Sequence, residues 1–121
     1  MKRDFNLIRL ILLALEGDED AEKKTKENYD QEAIAFHAYL MKQADLVEGV
    51  IRLDGQGNPK DYRLSRMTWE GYDFLDAMRD AGLWSKAQKT ILSKGASVTF
   101  DILKAWLVHE AKQKLGIETG E

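Results

Sequence analysis

Apolar residues recur along this chain first at helical spacing, then in alternation, then at helical spacing again, and these changes of period outline its elements. From Asp4 to Glu16, Phe5, Ile8, Leu12 and Leu15 form one stripe and Leu7, Ile11 and Ala14 a second, with Asp4 as N-cap and Gly17 as the stop. So wide an apolar surface predicts a helix covered on two sides by its own domain, or on one side by a partner chain. Residues 18–29 show no period and few apolar groups, which predicts a solvated loop with a short strand near Thr25. Asp30 then caps a helix to about Gln43, in which Ile34, Ala38 and Met41 point inward, and Leu46 continues the series beyond the turn. At Asp45 the chain leaves that helix, a position that favours a left-handed backbone.

Val47, Gly49, Ile51 and Leu53 alternate, a turn cluster spans 54–59, and Tyr62 and Leu64 alternate again. This predicts an antiparallel hairpin that turns Ile51, Leu53, Tyr62 and Leu64 to the core. Thr68 caps a helix from Trp69 to Arg79 with Phe74, Leu75 and Met78 inward. Asp80 caps another that uses Leu83, Trp84, Ala87 and Ile91 and stops at Gly95. Ser97 or Thr99 opens the last, with Phe100, Leu103, Leu107 and Ala111 on one side and Ile102 and Trp106 on a second. The fold class that results is mainly α with one small antiparallel β-hairpin. With no internal repeat and no linker composition, residues 1–115 read as a single domain and 116–121 as a frayed tail.

The chain's 121 residues suffice to bury about two thirds of the unfolded surface. The absence of cysteine excludes disulfide scaffolds, thiolate nucleophiles and thiolate zinc sites. The net charge of −3 hides an uneven distribution: residues 1–32 hold nine acids against six bases, 33–79 seven against six, and 80–121 five against six. No segment has the basic stripe of a polyelectrolyte binder. The longest apolar run, Leu10 to Leu15, is six residues, where a membrane span takes roughly 20. Lys2 and Arg3 before it imitate a signal peptide, but Arg9 interrupts the apolar region and acids follow it, so the expected location is the cytoplasm.

The order helix, loop, helix, short Leu-bearing turn, hairpin and helix resembles a winged helix, with the Asp30 helix in the recognition position. Ile34, Ala38, Met41, Asp45 and Leu46 match the spacing of such a helix and its Gly-Leu turn, with Asp in place of the Gly. In this scheme the two helices after the one that follows the wing are C-terminal additions to a winged-helix-like core, and the supporting helix of a helix-turn-helix is missing between Glu16 and Asp30. More specifically, the chain resembles a phage and prophage family, domain of unknown function 2513. The resemblance rests on Met1-Lys2-Arg3-Asp4, Leu7-Ile8-Arg9, Thr68-Trp69-Glu70-Gly71, Asp73-Phe74-Leu75-Asp76-Ala77, Arg79-Asp80 and Trp84. Tyr72 departs from the family's His. The resemblance implies a bacterial host cell and a winged-helix-like fold, and it carries over no catalytic residue.

Candidate chemistry is sparse. Asp18, Asp20 and Glu22 lack the glycine and distal glutamate of a calcium loop. Asp73 and Asp76 share a helix face without any phosphate loop, nucleophile elbow or His-Glu-x-x-His beside them. His37, one position from its helix's core stripe, reads as a partly buried imidazole with one hydrogen bond. The expectation is a protein that is not an enzyme, with no cofactor, metal or small-molecule substrate.

For duplex DNA, the outward face of the Asp30 helix holds Gln31, Glu32, Ala35, Phe36, Tyr39, Lys42 and Gln43. Gln31 and Gln43 would read bases, and Lys42, Arg52, Lys60 and Arg63 would contact phosphates. Asp30 and Glu32 oppose this at the helix N-terminus, and Asp54 and Asp61 partly cancel the hairpin's cations. The alternative is a protein-interaction or self-assembly module, a partner or a second copy docking on Phe36 and Tyr39.

Overall fold

The computed structural model describes residues 1–94 and 98–116. It divides into two compact units, Met1–Leu75 and Asp76–Glu121. The elements run α1 (Phe5–Leu15), α2 (Glu19–Asn28), α3 (Gln31–Gln43), β1 (Val47–Leu53), β2 (Pro59–Met67), α4 (Trp69–Met78), α5 (Ala81–Lys89), a 3-10 turn (Leu92–Lys94) and α6 (Phe100–Leu115). This is a mainly helical fold with one antiparallel hairpin, in a winged-helix-like arrangement.

In the first unit, Asp4 caps α1 by accepting from the Asn6 and Leu7 N–H groups at 2.9 and 3.3 Å. Phe5, Leu7, Ile8, Leu10, Ile11 and Leu12 are all buried, so both apolar stripes of α1 are covered, within this chain. Gly17, at φ 104°, turns the chain out of the helix in the left-handed region open to glycine.

The segment expected to be a loop is helical instead. Asp18 accepts from the Ala21 N–H at 3.0 Å and caps α2, and Asp20–Lys24 and Glu22–Lys26 pair along its surface at 3.3 and 3.1 Å. Its buried face is only Ala21 and Thr25, residues too small and too polar to produce an apolar period. Thr25 lies in that helix, donating to the Ala21 carbonyl at 2.8 Å, and forms no strand. The supporting helix of the winged-helix order is therefore present.

Helix α3 buries Ile34, Ala35, His37, Ala38 and Met41. Ala35, expected on the outward face, is 0% exposed because α3 packs against both α1 and the hairpin. His37 is likewise more enclosed than expected. Its Nε2 accepts the Asp4 N–H at 2.8 Å, which leaves the ring proton on Nδ1 to be donated to the Ala33 carbonyl at 2.8 Å. His37 thus makes two hydrogen bonds, not one: the bond to Asp4 joins the start of α1 to α3, and the bond to Ala33 lies within α3. The chain leaves α3 through Asp45 at φ 63°, the left-handed exit expected there.

Strands β1 and β2 pair antiparallel with Val47 opposite Met67, Val50 opposite Arg63 and Arg52 opposite Asp61, with irregularities at Glu48/Gly49 and Arg52/Leu53. Ile51, Tyr62 and Leu64 are half-buried on the inner side, whereas Leu53, expected in the core, is 45% exposed at the strand's far end. Helix α4 starts on a latch. The Thr68 hydroxyl accepts from the Gly71 N–H at 3.1 Å and donates to the Asp45 carbonyl at 2.5 Å, and the Thr68 N–H bonds the Leu46 carbonyl at 3.0 Å. Phe74 meets Phe5 edge-on, ring centres 6.3 Å apart.

In the second unit, Asp80 caps α5 by accepting from the Leu83 N–H at 2.9 Å, and Thr99 caps α6 through the Ile102 N–H at 3.2 Å. Trp84 and Ala87 of α5 and Leu103 and Leu107 of α6 are buried. Lys86–Glu110 and Lys114–Asp80 ion pairs connect α5 and its cap to α6. Ile102, assigned to a second apolar side, is 51% exposed. Helix α5 ends at Lys89 with Thr90 as its C-cap, so it stops short of Ile91 and of the expected stop at Gly95; Gly95 itself, the alternative opening at Ser97 and the tail beyond Gly116 lie outside the described residues.

Candidate functional site

One stripe of α3 outside the buried core runs Glu32, Phe36, Tyr39 and Gln43, at spacings of four, three and four. Glu32 and Gln43 are exposed, and Phe36 and Tyr39 are half-buried. Phe36 stands edge-on to His37, ring centres 5.4 Å apart, so the buried imidazole fixes the ring from behind. Two hollows open beside the stripe. One, of about 370 Å³, is lined by Phe36 and Glu32 with Asp54, Asn58, Pro59 and Lys60 of the hairpin. The other, of about 340 Å³, is lined by Tyr39, Lys42 and Gln43 with Ile51 and Leu53.

The proposed polar contacts are divided by a single carboxylate. Asp61 accepts from Gln31 Nε2 at 3.1 Å and from the Arg52 guanidinium at 3.2 Å, which ties a base-reading candidate and a phosphate-binding candidate to the same group. The Tyr62 N–H, with Arg52 and Gln31 adding, holds the Asp61 carboxyl below the usual carboxylate range. On the outer side of the hairpin Arg66 is paired with Glu48 at 3.1 Å. Lys42, Lys60 and Arg63 are exposed and have no ion-pair partner among the described residues. At the hairpin tip, Asp54 accepts from the Asn58 and Gln56 N–H groups at 3.0 and 2.8 Å, and these bonds hold its carboxyl below its ordinary range.

The bracket at Asp61 spans 30 residues of sequence, and no local pattern signals it. Trp69 is also absent from the residues expected at a binding surface, yet it is 81% exposed. Its signal was available, since helical geometry puts Trp69 and Tyr72 opposite the apolar face that begins at Gly71 and Phe74. Among the described residues no three His, Asp or Glu side chains are grouped to hold a metal ion, and no helix is long and apolar enough to cross a membrane.

Comparison with known proteins agrees with the signatures in the sequence. A 31% identical relative, an "Uncharacterized protein" of Haemophilus influenzae, aligns over 109 residues, 86% of this chain and 90% of the relative. No solved structure matches. The model of the family described as "Hypothetical protein (DUF2513)" matches residues 2–97, and the chain belongs to that family.

Proposed function

We propose that this chain is a non-catalytic docking module and that the face made by α3 and the hairpin receives a protein partner. The observation that carries this reading is the Glu32–Phe36–Tyr39–Gln43 stripe, whose two aromatic rings are half-buried and each borders a hollow. Rigid aromatic side chains set in pockets are the usual anchors of a protein interface. Charge supports the same reading. In a helix-turn-helix the starts of the two helices face the phosphate backbone, but here α2 begins with Glu19, Asp20 and Glu22, and α3 carries Glu32 in its first turn.

Duplex DNA is the second reading, supported by the complete α2–α3 pair and by Lys42, Lys60 and Arg63. With Arg52 held by Asp61, three phosphate contacts remain, for which log affinity would fall with log salt at a slope of about −2.7.

A photo-crosslinking residue in place of Tyr39 captures a partner from cells, and the purified partner is then titrated against wild type and against Phe36→Ala and Tyr39→Ala. Expected results are a complex weakened at least about tenfold by either substitution at unchanged secondary structure, and no duplex binding at low ionic strength. Duplex binding with the slope above, abolished by reversing Lys60 and Arg63 to Glu, would transfer this face to DNA.

A further inference from the structure

Helix α4 places a second, separate surface on the first unit. Its inward side is settled by Gly71, Phe74 and Leu75, all buried, and by the latch from Thr68 to the turn after α3. On the outward side stand Trp69, 81% exposed, and Tyr72, 46% exposed, three residues apart and therefore neighbours. Asp73, four residues on from Trp69, and Glu70 lie on the tryptophan's side of the pair, both exposed and without an ion-pair partner among the described residues. Glu70 in the first turn also complements the helix dipole, but Asp73 lies beyond the reach of that effect.

Single exposed apolar residues are ordinary, but a tryptophan and a tyrosine side by side, with two carboxylates free of ion pairs next to the tryptophan, form a chemically specific patch. The ring faces carry negative quadrupole charge and the carboxylates full negative charge, so every element of the patch attracts a cation. A planar guanidinium satisfies both, stacking on the indole while its N–H fork reaches a carboxylate, which an ammonium does less well. We infer that the α4 stripe is a docking site for an arginine-bearing segment of a protein partner. The inference uses different residues from the α3–hairpin face and stands or falls separately from it.

The test titrates the full chain with a fluorescently labelled octa-arginine peptide at low ionic strength, followed by anisotropy, with octa-lysine and octa-glutamate for comparison. The expected order is octa-arginine tightest, octa-lysine weaker and octa-glutamate without binding. Trp69→Ala leaves net charge unchanged and removes an exposed ring, so it should weaken octa-arginine at least about fivefold with no change in melting temperature. Joint Glu70→Lys and Asp73→Lys should abolish binding, whereas Lys60→Glu with Arg63→Glu should not weaken it. Equal affinity for wild type and Trp69→Ala would overturn the proposal. So would binding that is lost on neutralising Glu19, Asp20 and Glu22 of α2, which would show general attraction to an acidic surface. Light scattering that reports self-association abolished by Trp69→Ala would assign the stripe to a second copy and overturn it as well.

Discussion

Substituting Gly71 by alanine tests the attachment of α4 to the winged-helix-like core. In an open helix this change is favourable by about 1 kcal/mol, because alanine is the better helix former. Here a Cβ at residue 71 would enter the Leu46 carbonyl group, overlapping its oxygen, 3.1 Å from its carbon and 3.3 Å from Met67 Cβ. A carbonyl in a tight turn cannot rotate away as a side-chain tip can. That same carbonyl accepts the Thr68 N–H at 3.0 Å, and the neighbouring Asp45 carbonyl accepts the Thr68 hydroxyl. Displacing α4 enough to relieve the overlap would therefore stretch both bonds of the latch.

Backbone displacement of this kind costs about 1–3 kcal/mol, and loosening the hydrogen bonds adds about 1–3 kcal/mol. After subtracting the helix-propensity gain, Gly71→Ala should destabilise the protein by about 3 kcal/mol. The assay is urea unfolding followed by circular dichroism, with Gly55→Ala as the control, since nothing lies within 4 Å of a Cβ there. The control should stay within about 0.5 kcal/mol of wild type. A Gly71→Ala protein as stable as wild type, or more stable, would refute the close approach of α4 to the turn after α3.

Asp45→Gly should raise stability by about 0.5–1 kcal/mol, because φ 63° strains a residue with a Cβ and the Asp45 carbonyl bond to Thr68 does not depend on its side chain; a lowered urea midpoint would contradict this. Acid should open the hairpin tip. The folded-state lowering at Asp54 means its contribution is present above the ordinary aspartate range and is lost as pH falls through the lowered folded value, so the protection of the Gln56 and Asn58 N–H groups against hydrogen exchange, relative to an unstructured amide at the same pH, should fall below about pH 4. Opening that increases toward alkaline pH would contradict the assignment.

Where a helix packs a broad apolar face, the sequence shows it plainly: α1, α3 and the inward side of α4 follow from Phe5–Leu12, Ile34–Ala38–Met41 and Phe74–Leu75. Even the left-handed exit at Asp45 is legible, because the apolar series of α3 resumes at Leu46 only after a sharp turn. Helix α2 is not, because the groove it fills accepts only Ala21 and Thr25, and its remaining order comes from the Asp18 cap and charge pairs four residues apart. Those pairs were the available signal, and the apolar period overlooks them. Ala35 and Leu53 diverge for a related reason. A wheel or an alternation assigns a side, but how far the opposing element extends decides burial: the hairpin reaches Ala35 and leaves the end of β1 uncovered. The candidate site depends still more on distant residues, since Asp61 joins Gln31 to Arg52 only after folding.

The formation of α2 both strengthens the analogy to DNA-binding proteins and weakens its functional consequence. As architecture, α2 completes the helix pair whose absence from the sequence pattern stood against a winged helix. As electrostatics, it moves Glu19, Asp20 and Glu22 from an undirected loop to a helix start, joined by Glu32 at the start of α3. Two like charges about 4 Å apart in water repel by about 1 kcal/mol, and an attractive pair gains a similar amount. Asp20 and Glu22 are themselves paired with Lys24 and Lys26, which leaves Glu19 and Glu32 as the carboxylates at the helix starts to set against Lys42, Lys60 and Arg63. Counterion release supplies a large share of a DNA binder's affinity and grows with the number of phosphates neutralised, so a duplex held by Lys42, Lys60 and Arg63 would gain little from it. The surface retains two aromatic rings beside hollows on α3 and two more on α4 next to carboxylates. Those groups gain most from a partner that brings apolar area and cations, which a protein segment has and a phosphate backbone lacks.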